Sequence, residues 1–281
     1  MTKDPTTVVH PTALISDGAV VGVGTSIGAY SIIGGNVVIG TNNKIGSHVV
    51  IDGRTTIGDD NIIYQFSSLG AAPQDLKYAG EDSSVVIGNR NTIREYVTIQ
   101  RGTAKGGMTT IVGDNNLFMV SAHVAHDVRI GSHNVVANSA AIAGHVEVGD
   151  RVTIGGLVGI HQFVRIGDLA ILSGGSMVAQ DVPPFCMVQG DRARLIGLNS
   201  VGLERALMSK EAVRLLRKLF RELFGRRSCG ITTDRLENMV AELAELDAVL
   251  SEPANRLIQF VKCSTRGICS IRRGRVPELQ P

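Results

Sequence analysis

Residues 27–63 read IGAYSIIGGNVVIGTNNKIGSHVVIDGRTTIGDDNII. Every sixth residue is isoleucine: Ile27, Ile33, Ile39, Ile45, Ile51, Ile57 and Ile63. A period of six fits neither an amphipathic helix, which repeats at about 3.6, nor a half-buried strand, which alternates at about two. Glycine, Asn and Asp gather in the positions between, where turns form. Such hexads mark a parallel β-helix: each supplies one short strand and one turn, and three close a triangular coil of 18 residues. The aliphatic residue points inward and stacks on its equivalents in the coils above and below.

The phase extends back through Val21, Ile15 and Val9 and forward to Leu69. Positions four later are small, polar or β-branched, among them Thr25, Ser31, Val37, Asn43, Val49, Thr55, Asn61 and Ser67. The phase resumes at Ile87, Ile93 and Ile99, slips by one, and runs from Val112 through Phe118, Val124 and Ile130 to Val178, making 26 hexads. At about 4.8 Å per coil this is a rod roughly 45 Å long. The domain reading is a β-helix over 1–190, with inserted loops at about 70–86 and 101–111, followed by an α-helical C-terminal domain over 191–281. Insertions in a solenoid tend to gather on its binding face.

After VPPF at 182–185 the period becomes helical. Leu216, Leu219, Phe220, Leu223 and Phe224 share one face, and Leu236, Met239, Val240 and Leu243 another. Asp234 with Glu237 reads as a capping box, and Ser251 ahead of Glu252 and Pro253 as the start of a further helix.

Aromatics are 4% of the chain and Trp is absent, so Val, Ile, Leu and Ala build the core. No apolar run approaches the roughly 20 residues of a membrane span, and the N-terminus lacks a signal-peptide apolar region, which suggests a soluble cytoplasmic protein. Cys186, Cys229, Cys263 and Cys269 show no CxxC or framework spacing and read as reduced structural thiols. Residues 183–281 carry 17 basic and 11 acidic side chains, a surplus of 6 that suits an acidic partner.

SAHVAHDVRIG at 121–131 sets two histidines three apart, the second followed by Asp127. Adding 18 to 126 gives Gly144 and adding 36 gives Gln162, so His126, His145 and His161 converge on one side of successive coils, with His123 nearby and Asp127 over His145. A neutral histidine oriented by a carboxylate is suited to general-base catalysis. Turn-position polar residues are the plainer explanation for any one of them, and for isolated His10, His48 and His133. A zinc site of the hexapeptide carbonic anhydrase kind needs a five-residue histidine spacing absent here, so no metal is expected.

PQDLKY (73–78), IREYVTIQRGT (93–103), AHVAHD (122–127), AGHVEVGD (143–150), GIHQFVRIG (159–167), AQDVPPF (179–185), GLNSVGLER (197–205) and STRG (264–267) occur in an order that resembles the UDP-N-acetylglucosamine O-acyltransferase family, which opens lipid A biosynthesis. The resemblance covers nearly the whole chain. It implies a left-handed β-helix, a homotrimer with sites between neighbouring rods, and transfer of an (R)-3-hydroxyacyl group from acyl carrier protein to the glucosamine 3-position of a UDP-sugar.

On that resemblance His126 is the general base, Asp127 supports it, and the Gly144 N–H stabilises the oxyanion. Gln74, Asp75, Lys77, His123, His145, His161 and Gln162 contact sugar, diphosphate or acyl hydroxyl. Gly174 borders the acyl groove, and Asn199 and Arg205 grip the nucleotide. No cofactor is implied beyond the phosphopantetheine of acyl carrier protein, which the basic Arg214, Arg217, Lys218 and Arg221 suit; nucleic acid is not expected. Val201, Ala206 and Arg192 depart from the residues common in the family near the nucleotide and at the end of the acyl groove, which leaves nucleotide affinity and chain length open. Alternatives are an amide product from a 3-amino UDP-sugar, the later N-acyltransferase of the same pathway, which carries a domain ahead of its hexads, and a silent hexapeptide scaffold.

Overall fold

The computed structural model describes residues 7–225, 233–244 and 247–271. Each hexad forms one strand of two to four residues, 26 in all, from Val8–Val9 to Met177–Val178. Each of the first 23 pairs in parallel with the third one after it, which sorts the strands into three sheets. The fold is the left-handed parallel β-helix, with a short helical part after it. Register steps by 18 residues, as in Val8↔Ser26 and Ile142↔Ile160.

Two steps differ. Ser68 pairs with Thr98, a step of 30, and Thr98 with His123, a step of 25. The first insertion therefore leaves the rod after Ser68–Ala71 and rejoins at Ser84–Ile87, and the second lies between Thr98–Gln100 and Thr109–Val112. Both leave from the corner between the same two sheets, so they lie on one edge of the rod.

Ile33, Ile51, Leu69, Ile99 and Ile142 are buried to within 0% exposure, stacked down the rod axis. Inward-facing polar residues between them complete one another. Asn61, Asn91 and Asn116 each donate from Nδ2 to the side-chain oxygen of the preceding Asn of the ladder, at 3.0–3.1 Å. Each of these Asn also donates its backbone N–H to that same oxygen. A buried amide costs little only when its bonds are made, and here the one-coil repeat makes them.

The residue three after most inward aliphatics takes a left-handed conformation, as at Tyr30, His48, Asp127, His145 and Phe163, with φ of 57–63°. That turn costs a non-glycine residue roughly 1–2 kcal/mol, and it aims successive side chains out of the corner one above another. Tyr30, His48, Phe66 and Tyr96 stack in this way at 5.1–5.3 Å between centroids, an exposed ladder on another corner.

The rod ends in an antiparallel hairpin of Cys186–Gln189 with Arg194–Leu198, so the passage to the helices runs through paired strands on both sides of residue 190. Helix α1 is Ser200–Arg205, α2 Lys210–Phe224, α3 Thr233–Ala244 and α4 Ala248–Lys262. Leu216, Leu219, Leu223 and Phe224 bury the expected face of α2, and Leu236, Met239 and Leu243 that of α3, with Phe220 and Val240 packed at the margin. The side chain of Asp234 lies outside the described residues. Helix α4 does not open at Ser251: the Ser251 N–H already bonds the Asp247 carbonyl at 2.9 Å, and Pro253 lies inside the helix. Pro253 is the sixth residue of α4, so it forfeits the bond that an N–H there would make to the Val249 carbonyl. Cys186 and Cys269 are buried and free, with burial pushing the Cys269 thiol up to about 12; Cys263 is exposed, and Cys229 lies outside the described residues.

Candidate active site

Corner geometry positions the catalytic candidates. His126 and Gly144 hold the second place after an inward aliphatic in adjacent coils, Asp127 and His145 the third. With no side chain at Gly144, the His126 ring lies directly over that residue: a Cβ built there would meet His126 Cε1 at 2.5 Å and Nε2 at 2.7 Å.

The Asp127 carboxylate is buried and heavily bonded. It accepts from the Thr103 hydroxyl at 2.6 Å and the Thr103 N–H at 3.0 Å, and lies 2.9 Å from His126 Nδ1. Its own N–H donates to Thr110 Oγ1 at 2.8 Å. Both threonines come from the second insertion and the strand that ends it, and a Cβ on Gly106 would collide with the carboxylate. The loop therefore closes over Asp127 and seals it from water. A carboxylate can only accept, so His126 carries its proton on Nδ1 and presents the Nε2 lone pair. That nitrogen has no protein partner among the described residues.

A groove of about 450 Å³ opens beside it, lined by Gln74, Gln100, His123, Ala125, His126, Ala141, Ala143, Gly144, Gly159, Ile160, His161, Gln162, Met177, Val178 and Ala179. One wall is polar and the floor is small and apolar, rising at Met177. His123 Nδ1 lies 2.7 Å from Thr98 Oγ1, and burial together with the neighbouring His126 holds its pKa below the ordinary histidine value. His145 stacks on Phe163 at 4.5 Å and approaches Asp127 at 3.9 Å. Burial lowers its pKa, outweighing the opposing charges of Asp127 and Asp75.

The Gly144 N–H has no acceptor among the described residues. At the corresponding turn of another corner the side chain one coil further takes that amide, as Asp150 takes the Ser132 N–H at 2.6 Å. Here Gln162 does not, which leaves the donor open to the groove.

The structure thus brings Gln74, His123, His126, Gly144, His161 and Gln162 to one groove, with Asp127 behind it and His145 alongside. Asp75 and Lys77 lie on the first insertion, Asp75 oxygen accepting the Lys77 N–H at 2.9 Å. Gly174 is exposed on the far edge of the sheet that floors the groove and does not line it. Asn199 and Arg205 sit at the third corner. Asn199 is buried as the N-cap of α1, accepting from the Gly202 N–H at 2.8 Å and donating to the Leu169 carbonyl at 2.7 Å, while Arg205 is exposed on the last turn. Thr103, Thr110, Phe163 and Arg266 belong to the site or its frame and were not singled out from sequence. Phe163 follows from 145 by the coil step; for Thr103 and Thr110 the second insertion interrupts the arithmetic, and Arg266 lies beyond the repeat.

His126, Asp127 and His145 also present ligand atoms within 4.8 Å of one another. His126 Nδ1 carries the proton bonded to Asp127 and so offers no lone pair to a metal, and the arrangement suits proton transfer.

Residues 181–269 match the family described as Udp N-acetylglucosamine O-acyltransferase, Domain 2. The acyl-[acyl-carrier-protein]–UDP-N-acetylglucosamine O-acyltransferase of Myxococcus xanthus is 48% identical over 260 residues, covering 92% of this chain and 98% of that protein. The structure of LpxA from Acinetobacter baumannii superposes with a TM-score of 0.88 at 39% identity, over 94% of this chain and 100% of the other. The UDP-N-acetylglucosamine acyltransferase from Campylobacter jejuni gives 0.86 at 37%, with the same coverage of 94% and 100%.

Proposed function

The chain belongs to the UDP-N-acetylglucosamine O-acyltransferase family, and from that membership we propose that it moves an (R)-3-hydroxyacyl chain from acyl carrier protein to the glucosamine 3-oxygen of UDP-N-acetylglucosamine, as the first step of lipid A biosynthesis. The observation that carries the mechanism is the His126–Asp127 pair: a buried carboxylate holds Nδ1–H and leaves Nε2 as the base facing the groove.

Nε2 takes the proton of the sugar hydroxyl as its oxygen bonds to the thioester carbonyl carbon. The resulting oxyanion accepts from the Gly144 N–H, a type of interaction worth about 3 kcal/mol per donor. As the carbon–sulfur bond breaks, the His126 imidazolium returns the proton to the departing thiolate, so the base is restored. Asp127 stabilises the imidazolium without itself being protonated. The small apolar floor of Ala141 and Gly159 suits the alkyl chain, and Gln74, Asp75, Lys77, His123, His145, His161 and Gln162 surround the polar groups.

The nucleotide contacts come from a second copy. Asn199 and Arg205 lie at a different corner from His126, so a homotrimer of side-by-side rods lets one copy's α1 face another's groove. The exposed Tyr30, Phe66 and Tyr96 ladder supports such an assembly, since it is apolar and would be covered there. Arg205 makes the anion contact and Asn199 holds the helix that presents it. In that trimer Gly174 of a neighbouring copy borders the acyl groove between subunits, since within one chain it does not line the groove. Exposed Arg214, Arg217, Lys218 and Arg221 on α2 form the docking face for acidic acyl carrier protein, favouring encounter rate more than affinity. Among the described residues no helix is long and apolar enough to cross a membrane.

Purified protein given UDP-N-acetylglucosamine and a series of (R)-3-hydroxyacyl carrier proteins should form the ester, detected by mass spectrometry. His126→Ala should lower turnover about 10² to 10⁴-fold with little change in melting. Near-normal turnover in that variant would reassign the base.

A further inference from the structure

Arg266 and His161 are separated by 105 residues and meet at one edge of the groove, with Arg266 Nη2 2.7 Å from His161 Nδ1. The guanidinium is held in place from its other side, since its Nε donates to the Ala179 carbonyl at 2.7 Å. The segment that delivers it is tied to the rod independently. Ser264 Oγ donates to the Asp181 carboxylate at 2.8 Å, the Asp181 N–H to the Gly267 carbonyl at 2.9 Å, and the Cys269 N–H to the Asp181 carbonyl at 2.9 Å. Gly267 makes the turn between these bonds with φ of 84°, a conformation that favours glycine.

A guanidinium has donors only and stays protonated. The nitrogen facing it at 2.7 Å must therefore be the acceptor, which puts the His161 proton on Nε2. The Gln162 carbonyl, 3.3 Å from the same Nδ1, favours the opposite tautomer. It is the longer contact and carries no full charge, whereas an Nδ1–H turned toward Arg266 would set donor against donor.

We propose that Arg266 is a positioning residue that fixes His161 as the Nε2–H tautomer, making it a hydrogen-bond donor to an acceptor oxygen of the bound substrate. Two histidines of one groove are then set in opposite states by opposite charges. Asp127 makes His126 Nε2 an acceptor, and Arg266 makes His161 Nε2 a donor. The inference rests on the groove being the acyl-transfer site. The oxygen is either the acyl 3-hydroxyl or a phosphate of the UDP-sugar, which share this chemistry.

The test is long-range ¹H–¹⁵N correlation on protein labelled at histidine, with the His161 signals assigned by their loss in His161→Asn. Wild type should show His161 protonated at Nε2 and His126 at Nδ1. Arg266→Met, which has length but no donor, should release His161 to a tautomer mixture and leave His126 unchanged. It should raise one substrate's KM about tenfold with a much smaller effect on kcat, and Arg266→Lys should recover part of the loss. If the effect vanishes with an acyl donor lacking the 3-hydroxyl, the partner is that hydroxyl; if it persists in the KM of the UDP-sugar, the partner is a phosphate. A wild-type His161 protonated at Nδ1, or an Arg266→Met protein with unaltered tautomer and KM, overturns the proposal. Should Arg266→Met not fold, the wild-type spectrum still decides. Absence of acyl transfer by wild type with every donor would instead count against the underlying reaction, and leaves the tautomer readable.

Discussion

Gly144→Ala adds one methyl group at the point where His126, the proposed base, needs the space. Its Cβ would lie 2.5 Å from Cε1, 2.7 Å from Nε2 and 3.0 Å from Nδ1 of His126. Carbon contacts settle at about 3.5–4.0 Å, so the ring must withdraw by about 1 Å. Asp127 cannot follow, because Thr103 holds its carboxylate by hydroxyl and N–H and the second insertion roofs it. The 2.9 Å bond from Nδ1 then stretches or bends, and Nε2 leaves the position from which it meets the sugar hydroxyl. A misplacement of about 1 Å commonly costs 10²-fold in rate, so kcat should fall about 10² to 10³-fold while KM for the UDP-sugar changes little. Overpacking costs about 1–3 kcal/mol in a closed core. The lower end applies here, since the ring borders an open groove. Steady-state kinetics beside calorimetric melting separates the two effects. A folded variant with kcat within about threefold of wild type would refute the argument that this ring position is what catalysis requires.

Asn91→Leu strips the polar ladder of a member that bonds Asn61, Asn116 and the Gly113 carbonyl. Stranding those buried groups should cost about 2–4 kcal/mol, seen as a fall in Tm of several degrees. Met177→Ala removes the largest side chain on the groove floor and should raise the rate ratio of long to short hydroxyacyl donors, measured by mass spectrometry; an unchanged ratio would place the chain's end elsewhere. His123 and His145 both have folded pKa values below the 6.5 of the unfolded chain, so the unfolded state binds more protons just beneath that value. Stability is present above about pH 6.5 and is lost as pH falls through the folded values. Calorimetry between pH 7.5 and 5 should show this slope, flattened in a His123→Gln, His145→Gln double variant.

Period alone determined the rod. An aliphatic residue every sixth position can be buried in only one continuous way, and the 18-residue step then places His126 over Gly144 and Asp127 over His145 by addition. Strand positions, the inward stack and the convergence of the histidines were legible for that reason, because each depends on contacts that repeat along the chain. What the insertions do was not. Seven extra residues between Thr98 and His123 shift the register to 25, and only their three-dimensional path shows Thr103 bonded to Asp127. The helix boundary at Ala248 likewise depends on which backbone N–H finds an acceptor, not on the Ser-Glu-Pro pattern. Asn199 reads in sequence as a polar candidate for ligand contact, and tertiary packing commits its Oδ1 to capping α1 and its Nδ2 to the Leu169 carbonyl of the rod. Arg266 lies 105 residues from His161, outside any repeat, so the charge that sets that histidine's proton became visible only when the chain returned to the rod.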